Sequence, residues 1–256
     1  MTGSARAASG RFEIDINADA GEGFDSPELF SAVSSVNIAC GGHAGDAASM
    51  RAAVALARAC DAAVGAHPGY EDRARFGRVE TGDSPRALGE TVRRQMLRLA
   101  EIGVPITHVK PHGALYHRVA TDADAARAVV EAIAALDPGI SVVGFPDSEL
   151  LRAAQAVGLP AVAEGFADRR YGADGRLVGR DAAGALLSPP EALAQALQLA
   201  TEARIATICL HSDSPGAGDV AAALRRGLEA SGWVVAPFAT RLPSDASHGS
   251  RLSTDR

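Results

Sequence analysis

Short runs rich in valine and isoleucine alternate with longer Ala-, Leu- and Arg-rich stretches of helical period along most of this chain, and that alternation constrains the fold more than any other feature. Strands are expected at 12–17, 36–40, 63–67, 106–110, 140–145, 161–164 and 205–211, with an eighth short one at 233–238. Helices are expected near 27–33, 47–60, 85–102, 123–136, 148–157, 190–203 and 220–231. Ser26-Pro27, Ser84-Pro85 and Ser188-Pro189 each set a capping hydroxyl ahead of a proline, which marks a helix start. Repeated strand–helix units of about thirty residues join parallel strands through helical crossovers. About seven parallel strands in this pattern suit an α/β fold of the distorted β/α-barrel kind, with an open doubly wound sheet as the alternative.

No linker-like composition divides the middle of the chain. The expected division is a disordered tail at 1–11, a single β/α-barrel domain at 12–239 and a second disordered tail at 240–256. The stretches 69–82 and 166–188 read as long loops, and "YGADGRLVGR" in the second carries the Asp-Gly chemistry of a small hairpin. The 25 Lys and Arg against 31 Asp and Glu give a net charge of −6 with no basic block, which argues against nucleic acid or an anionic membrane as partner. Cys40, Cys60 and Cys209 are odd in number and far apart, so neither a disulfide framework nor a metal knuckle is expected. With no long apolar span and no secretion signal at the start, the expectation is a cytoplasmic protein.

Side chains alternate across a strand, and here one face of each strand is apolar while the other is ionisable. The first strand leads into "NADAGEG", in which Asp19 and Glu22 flank a glycine hinge. That hinge is expected to turn the chain sharply at the barrel rim and present both acids over the mouth. His43, His67, His112 and His211 each end or closely follow a separate expected strand, and Lys110 shares a strand face with His108 and His112. Pro111 argues against reading His108 and His112 as a helical metal pair. His117 and His248 read as structural, Asp15 as a core acid able to pair with Lys110, and Cys40 and Cys209 as small buried hydrophobes.

At these residues the chain resembles a known family. "IDINADAGEGF", "SSVNIACGGHAGD", "VGAHPGYEDRARFGR", "THVKPHGALYH", "AEGFADRRYGADGRLVGR" and "CLHSDSP" follow one another as in the LamB/YcsF family, the 5-oxoprolinase A subunits, from about Ile14 to Pro215. The resemblance implies a distorted barrel of the glycoside hydrolase/deacetylase type. It also implies ATP-dependent opening of the 5-oxoproline lactam to L-glutamate, carried out jointly with subunits B and C. The chain departs from the family at Ala18, where cysteine is common, at Gly42, commonly phenylalanine, and at Ser212, commonly glycine. No G-x-x-x-x-G-K-[ST] loop is present, so ATP is expected to bind by another device or on a partner subunit.

For lactam opening, Asp19, Glu22 and Asp213 are the candidate bases, and His43, His67, His112 and His211 the candidate proton carriers. Lys110 can stabilise an oxyanion or phosphate, and Arg78 and Arg169 can grip a carboxylate. Asn17, Asn37 and Glu164 complete the expected substrate-binding set. By likeness to deacetylase barrels, Asp19, His67 and His112 are the expected ligands if a divalent metal is held. Two rival functions remain: a stand-alone metal-dependent deacetylase or amidohydrolase, and a non-catalytic subunit that delivers substrate. An aromatic content of 4% counts against sugar platforms, and the density of titratable groups counts against passive delivery.

Overall fold

The structure is a computed structural model that describes residues 12–173, 175–202, 204–214 and 216–238. The expected tails at 1–11 and 240–256 lie outside the described residues. In chain order the elements are β1 (Glu13–Ala20), α1 (Pro27–Ala32), β2 (Ser35–Ala39), α2 (Ala47–Ala59), β3 (Ala63–His67), α3 (Pro85–Ala100), β4 (His108–Val109), α4 (Gly113–Thr121), α5 (Ala123–Ala134), β5 (Ser141–Gly144), α6 (Glu149–Ala156), β6 (Ala161–Phe166), α7 (Pro189–Thr201), β7 (Thr207–Leu210), α8 (Ala217–Ala230) and β8 (Val234–Val235). The starts follow from local chemistry. Ser26 Oγ accepts from Leu29 N, Ser84 Oγ accepts from Ala87 N, and Asp46 forms a capping box with Ser49.

Strands β1 to β7 pair in parallel and in sequence, and β1 bonds both β7 and β2, so the sheet closes on itself. That closure rules out the open doubly wound alternative. The distortion lies beside β1. Phe12 and Ile14 carbonyls accept from β8 and the residue after it, while the Ile16 carbonyl on the same edge accepts from Ser34. Strand β8 therefore occupies the lower part of an edge whose upper part belongs to β2. Helix α4 is not expected from the sequence, because Pro111 reads as a helix breaker. Here it precedes the N-cap, His112, where a missing backbone donor does no harm.

Ile14, Ile16, Val36, Ile38, Val109, Val142, Ile208 and Leu210 are buried in one cluster with helix residues such as Phe30, Met50, Met96, Ile133 and Leu224. This apolar layer between sheet and helices supplies the hydrophobic stabilisation, at roughly 25 cal/mol per Å² buried. The other face of the strands carries mostly polar side chains, together with a small separate apolar cluster of Val143, Val162 and Phe238, the last against His108. Asp15 accepts from Ser34 Oγ at 2.7 Å, from Ser35 Oγ at 2.8 Å and from Thr207 Oγ1. Lys110 makes its ion pairs with Asp19 and Glu164 instead of with Asp15. The His108 imidazole lies across β3, and a Cβ on Gly65 would sit 2.2 Å from its Nε2, so only glycine fits there.

Candidate active site at the barrel mouth

Asp19, His67, Lys110 and His211 stand at or just beyond the C-terminal ends of β1, β3, β4 and β7, and His112 caps α4. After β1 the chain turns through Gly21 at φ 71° and Gly23 at φ 95°, a conformation glycine adopts freely. The Asp25 carboxylate accepts from Gly21 N and fixes the turn. This hinge brings Glu22 back against His43, with His43 Nε2 2.7 Å from Glu22 Oε1.

Lys110 is the hub of the floor. Its Nζ lies 2.8 Å from Glu164 Oε1, 3.3 Å from Asp19 Oδ1 and 3.2 Å from Asn17 Oδ1, and it donates to Cys209 Sγ at 2.9 Å. Burial opposes charge on Lys110, but Asp19, Cys209 and Glu164 outweigh it and hold the amine above its ordinary value. Burial also opposes charge on Asp19, and there the positive fields of His67 and Lys110 win and hold the carboxyl well below the usual range. Glu164 accepts in addition from Asn17 Nδ2 and from Tyr116 OH at 3.0 Å. Beneath these, Asn37 bridges Asn17, Asp19 and His108.

Beside the floor is an imidazole cluster. His67 Nε2 lies 3.0 Å from His112 Nδ1 and 3.4 Å from Asp19 Oδ1. His43 and His112 stack with ring centroids 3.5 Å apart. Burial, and then the neighbouring imidazoles, hold His43 and His112 well below the ordinary histidine value, so both rings are neutral. Glu22 is pushed well above the usual carboxylate range by burial and by the negative charges of Asp19 and Asp213.

His211 forms a separate unit. Its Nδ1 lies 3.0 Å from Asp168 Oδ1, and Asp168 also accepts from Ser214 Oγ and from the His211 backbone N–H. Burial opposes charge on Asp168, but His211 outweighs it and keeps the acid below its ordinary value. A carboxylate holding Nδ1–H leaves Nε2 as the basic nitrogen, the arrangement of an oriented general base. Four arginines among the described residues line the same mouth, and Arg118 among them pairs with Glu80 and Asp122. Arg78 and Arg180 both bind Asp213. Arg169, 8% exposed, has no carboxylate partner among the described residues; it donates to the Val178 carbonyl, and its buried Nε is unpartnered.

These groups border a cavity of about 670 Å³ lined by Asp19, His67, Arg78, Lys110, His112, Phe166, Arg169, Arg180 and His211 among others. Of the residues expected from the sequence, Glu22 and His43 stand immediately behind that lining, and Asp213 serves to join two arginines. Asn17, Asn37 and Glu164 are buried below the mouth and reach it through Asp19, Lys110 and, for Glu164, Tyr116. Asp168, Arg180 and Tyr116 are not among the residues the sequence singles out. Asp168 closely follows β6 and was detectable as an acid at a strand's C-terminal end, whereas Arg180 sits in a loop with no periodic signal. Ser212 has no positive φ, so serine adopts its backbone there without strain. A Cβ on Gly42 would meet the Gln95 carboxamide at 2.5 Å, so a phenylalanine there would require Gln95 to move.

Residues 14–242 match the LamB/YcsF family. The chain is 44% identical over 245 residues to the A subunit of 5-oxoprolinase from Chloroflexus aggregans, an alignment covering 87% of this chain and 97% of that protein. It is 42% identical over 249 residues to the corresponding 5-oxoprolinase chain of Streptomyces avermitilis, covering 88% of this chain and 100% of the relative. Among solved structures, a lactam utilization protein from Thermus thermophilus superposes with a TM-score of 0.82 at 38% identity, covering 89% of this chain and 100% of that one. A family 4 carbohydrate esterase from Streptomyces lividans has a TM-score of 0.53 at 12% identity, with 90% and 94% covered, a likeness of fold alone.

Proposed function

The chain belongs to the LamB/YcsF family, and on that premise we propose that it is the A subunit of a 5-oxoprolinase, a hydrolase that opens the cyclic amide of 5-oxo-L-proline to L-glutamate. The observation that carries this reading is the near full-length match to proteins named as the A subunits of 5-oxoprolinases. Hydrolysis is coupled to ATP and requires subunits B and C. No helix among the described residues is long and apolar enough to cross a membrane, which suits a cytoplasmic complex.

The geometry fits lactam opening. An amide resists water at neutral pH, so its carbonyl must be activated; phosphorylation of the amide oxygen by ATP removes the amide resonance and makes the carbonyl carbon open to attack by water. Of the arginines that line the mouth, Arg169 has no carboxylate partner among the described residues, and it takes the substrate carboxylate. Lys110, held as an ammonium by Asp19 and Glu164, faces the oxygen where charge or phosphate accumulates. His211, oriented by Asp168, takes the proton from the attacking water and returns one to the ring nitrogen as the C–N bond breaks, which leaves an acyl phosphate that a second water hydrolyses to L-glutamate and inorganic phosphate. Nucleotide binds without a P-loop, by another device or on a partner subunit.

Reconstitution tests the reading. The purified chain, alone and then with subunits B and C, is assayed for 5-oxoproline-dependent ATP hydrolysis and glutamate release. Both activities are expected only with all three subunits and ATP. Amide hydrolysis by the isolated chain without ATP would instead identify a stand-alone amidohydrolase.

A further inference from the structure

The mouth holds more imidazole and carboxylate than these proton transfers use. His67 Nδ1 lies 2.7 Å from the Lys110 carbonyl, and His112 Nε2 lies 2.9 Å from the Phe76 carbonyl. A carbonyl only accepts, so each of those nitrogens carries the ring proton. The other two nitrogens, His67 Nε2 and His112 Nδ1, face each other at 3.0 Å. A shared proton or a metal ion held between them satisfies both nitrogens. Phe76 makes its contact from the left-handed region, at φ 55°, unusual for a bulky residue. A backbone carbonyl that accepts a ligating histidine's other N–H is a common support of metal sites.

Glu22 Oε1 closes the same space, 3.4 Å from His112 Nδ1 and 3.9 Å from His67 Nε2. Its ion-pairing contacts among the described residues are three imidazoles, because Lys110 is committed to Asp19 and Glu164. Donors held tetrahedrally at about 2.0–2.1 Å from a zinc ion stand about 3.3–3.4 Å apart. The three observed separations bracket that spacing.

We propose that His67 Nε2, His112 Nδ1 and Glu22 Oε1 form a site for a divalent transition-metal ion of the zinc class, its fourth position open to the cavity that His67 and His112 line. His43 is a positioning residue. Its ring lies within 4° of parallel to His112 at 3.5 Å, so an ion in the plane of one ring is out of the plane of the other. Instead His43 donates Nε2–H to Glu22 and aims the carboxylate. Asp19 is displaced from the expected ligand set, since its Oδ1 already accepts from Asn37 and pairs with Lys110. An ion at this wall would supply Lewis acidity toward a carbonyl or a water. The assignment does not depend on which cyclic amide the mouth takes.

The test needs no substrate. Metal-stripped chain is titrated with Co²⁺ and Zn²⁺, followed by visible absorption, elemental stoichiometry and the melting temperature with and without chelator. One equivalent is expected, with visible cobalt bands and no thiolate-to-cobalt band in the near ultraviolet. Glu22→Gln should weaken binding at least tenfold while circular dichroism stays unchanged, and Asp19→Asn should keep one equivalent. A wild-type chain that binds no stoichiometric ion overturns the site, and so does wild-type affinity in Glu22→Gln. A thiolate band abolished by Cys209→Ser also overturns it, because it would locate the ion at Asp19, Cys209 and His211 instead.

Discussion

In the proposed mechanism His211 is a usable base only while Asp168, 3.0 Å from its Nδ1, holds the Nδ1–H and orients the ring. Asp168→Asn should therefore lower kcat of the assembled enzyme by about 10²–10⁴-fold. It should also displace the acid limb of the kcat/KM profile, which a merely structural role would leave in place. Arg169 makes a different prediction. Replacing its planar fork by lysine should raise KM for 5-oxoproline about 10–100-fold, the loss expected from one charge-assisted contact, with a smaller change in kcat. Steady-state kinetics on the reconstituted complex separate the two effects. Asp168 and Arg169 stand side by side in "GFADRR", yet only the arginine was legible from sequence. A guanidinium suggests an anion by itself, whereas an acid gains meaning only once the fold puts a histidine beside it.

At the scale of elements, β3 and β4 are fitted to each other through Gly65 and His108. A methyl group at position 65 would overlap the imidazole at 2.2 Å. Gly65→Ala should destabilise the chain by about 1–3 kcal/mol, an overpacking cost. Calorimetry should register that as a drop of about 2–4 °C per kcal/mol in a chain of this size. His108 itself is buried, and burial lowers its pKa from 6.5 to about 3. Between those values the unfolded chain binds a proton that the folded chain refuses, so stability falls as pH drops from 6.5 toward 3. Each such histidine adds up to about 1.4 kcal/mol per pH unit to that slope. His108→Asn should flatten the acid limb of urea midpoints against pH. Part of the slope should remain, because His43 and His112 are held down too. Strand and helix positions were largely legible because alternation and capping are local signals. The start of α4 was not, since Pro111 has opposite meanings inside a helix and just before one.

Across the whole molecule, a barrel interior normally filled with branched aliphatics carries a buried ionic network, and the apolar layer lies outside the strands. Such ions are costly to bury and tolerable only when fully partnered. Lys110→Met would strand Asp19 and Glu164 and should cost about 3–5 kcal/mol of stability in urea unfolding. Adding Glu164→Gln should recover part of that loss, the coupling expected of neighbours in one network. Closure of the sheet and the shared direction of the strand ends gather His67, Lys110, His112 and His211 at one mouth. The sequence implied that convergence through independent strand-end positions, but not the division into floor, imidazole cluster and His211–Asp168 unit, which depends on side-chain directions. The decisive experiment is glutamate release by a complex rebuilt with the proposed partners, subunits B and C, around His211→Asn, against the unaltered chain. A rate lower by at least about 100-fold is expected, in a complex that still assembles. An undiminished rate would place the chemistry outside this barrel and contradict the role given to its mouth.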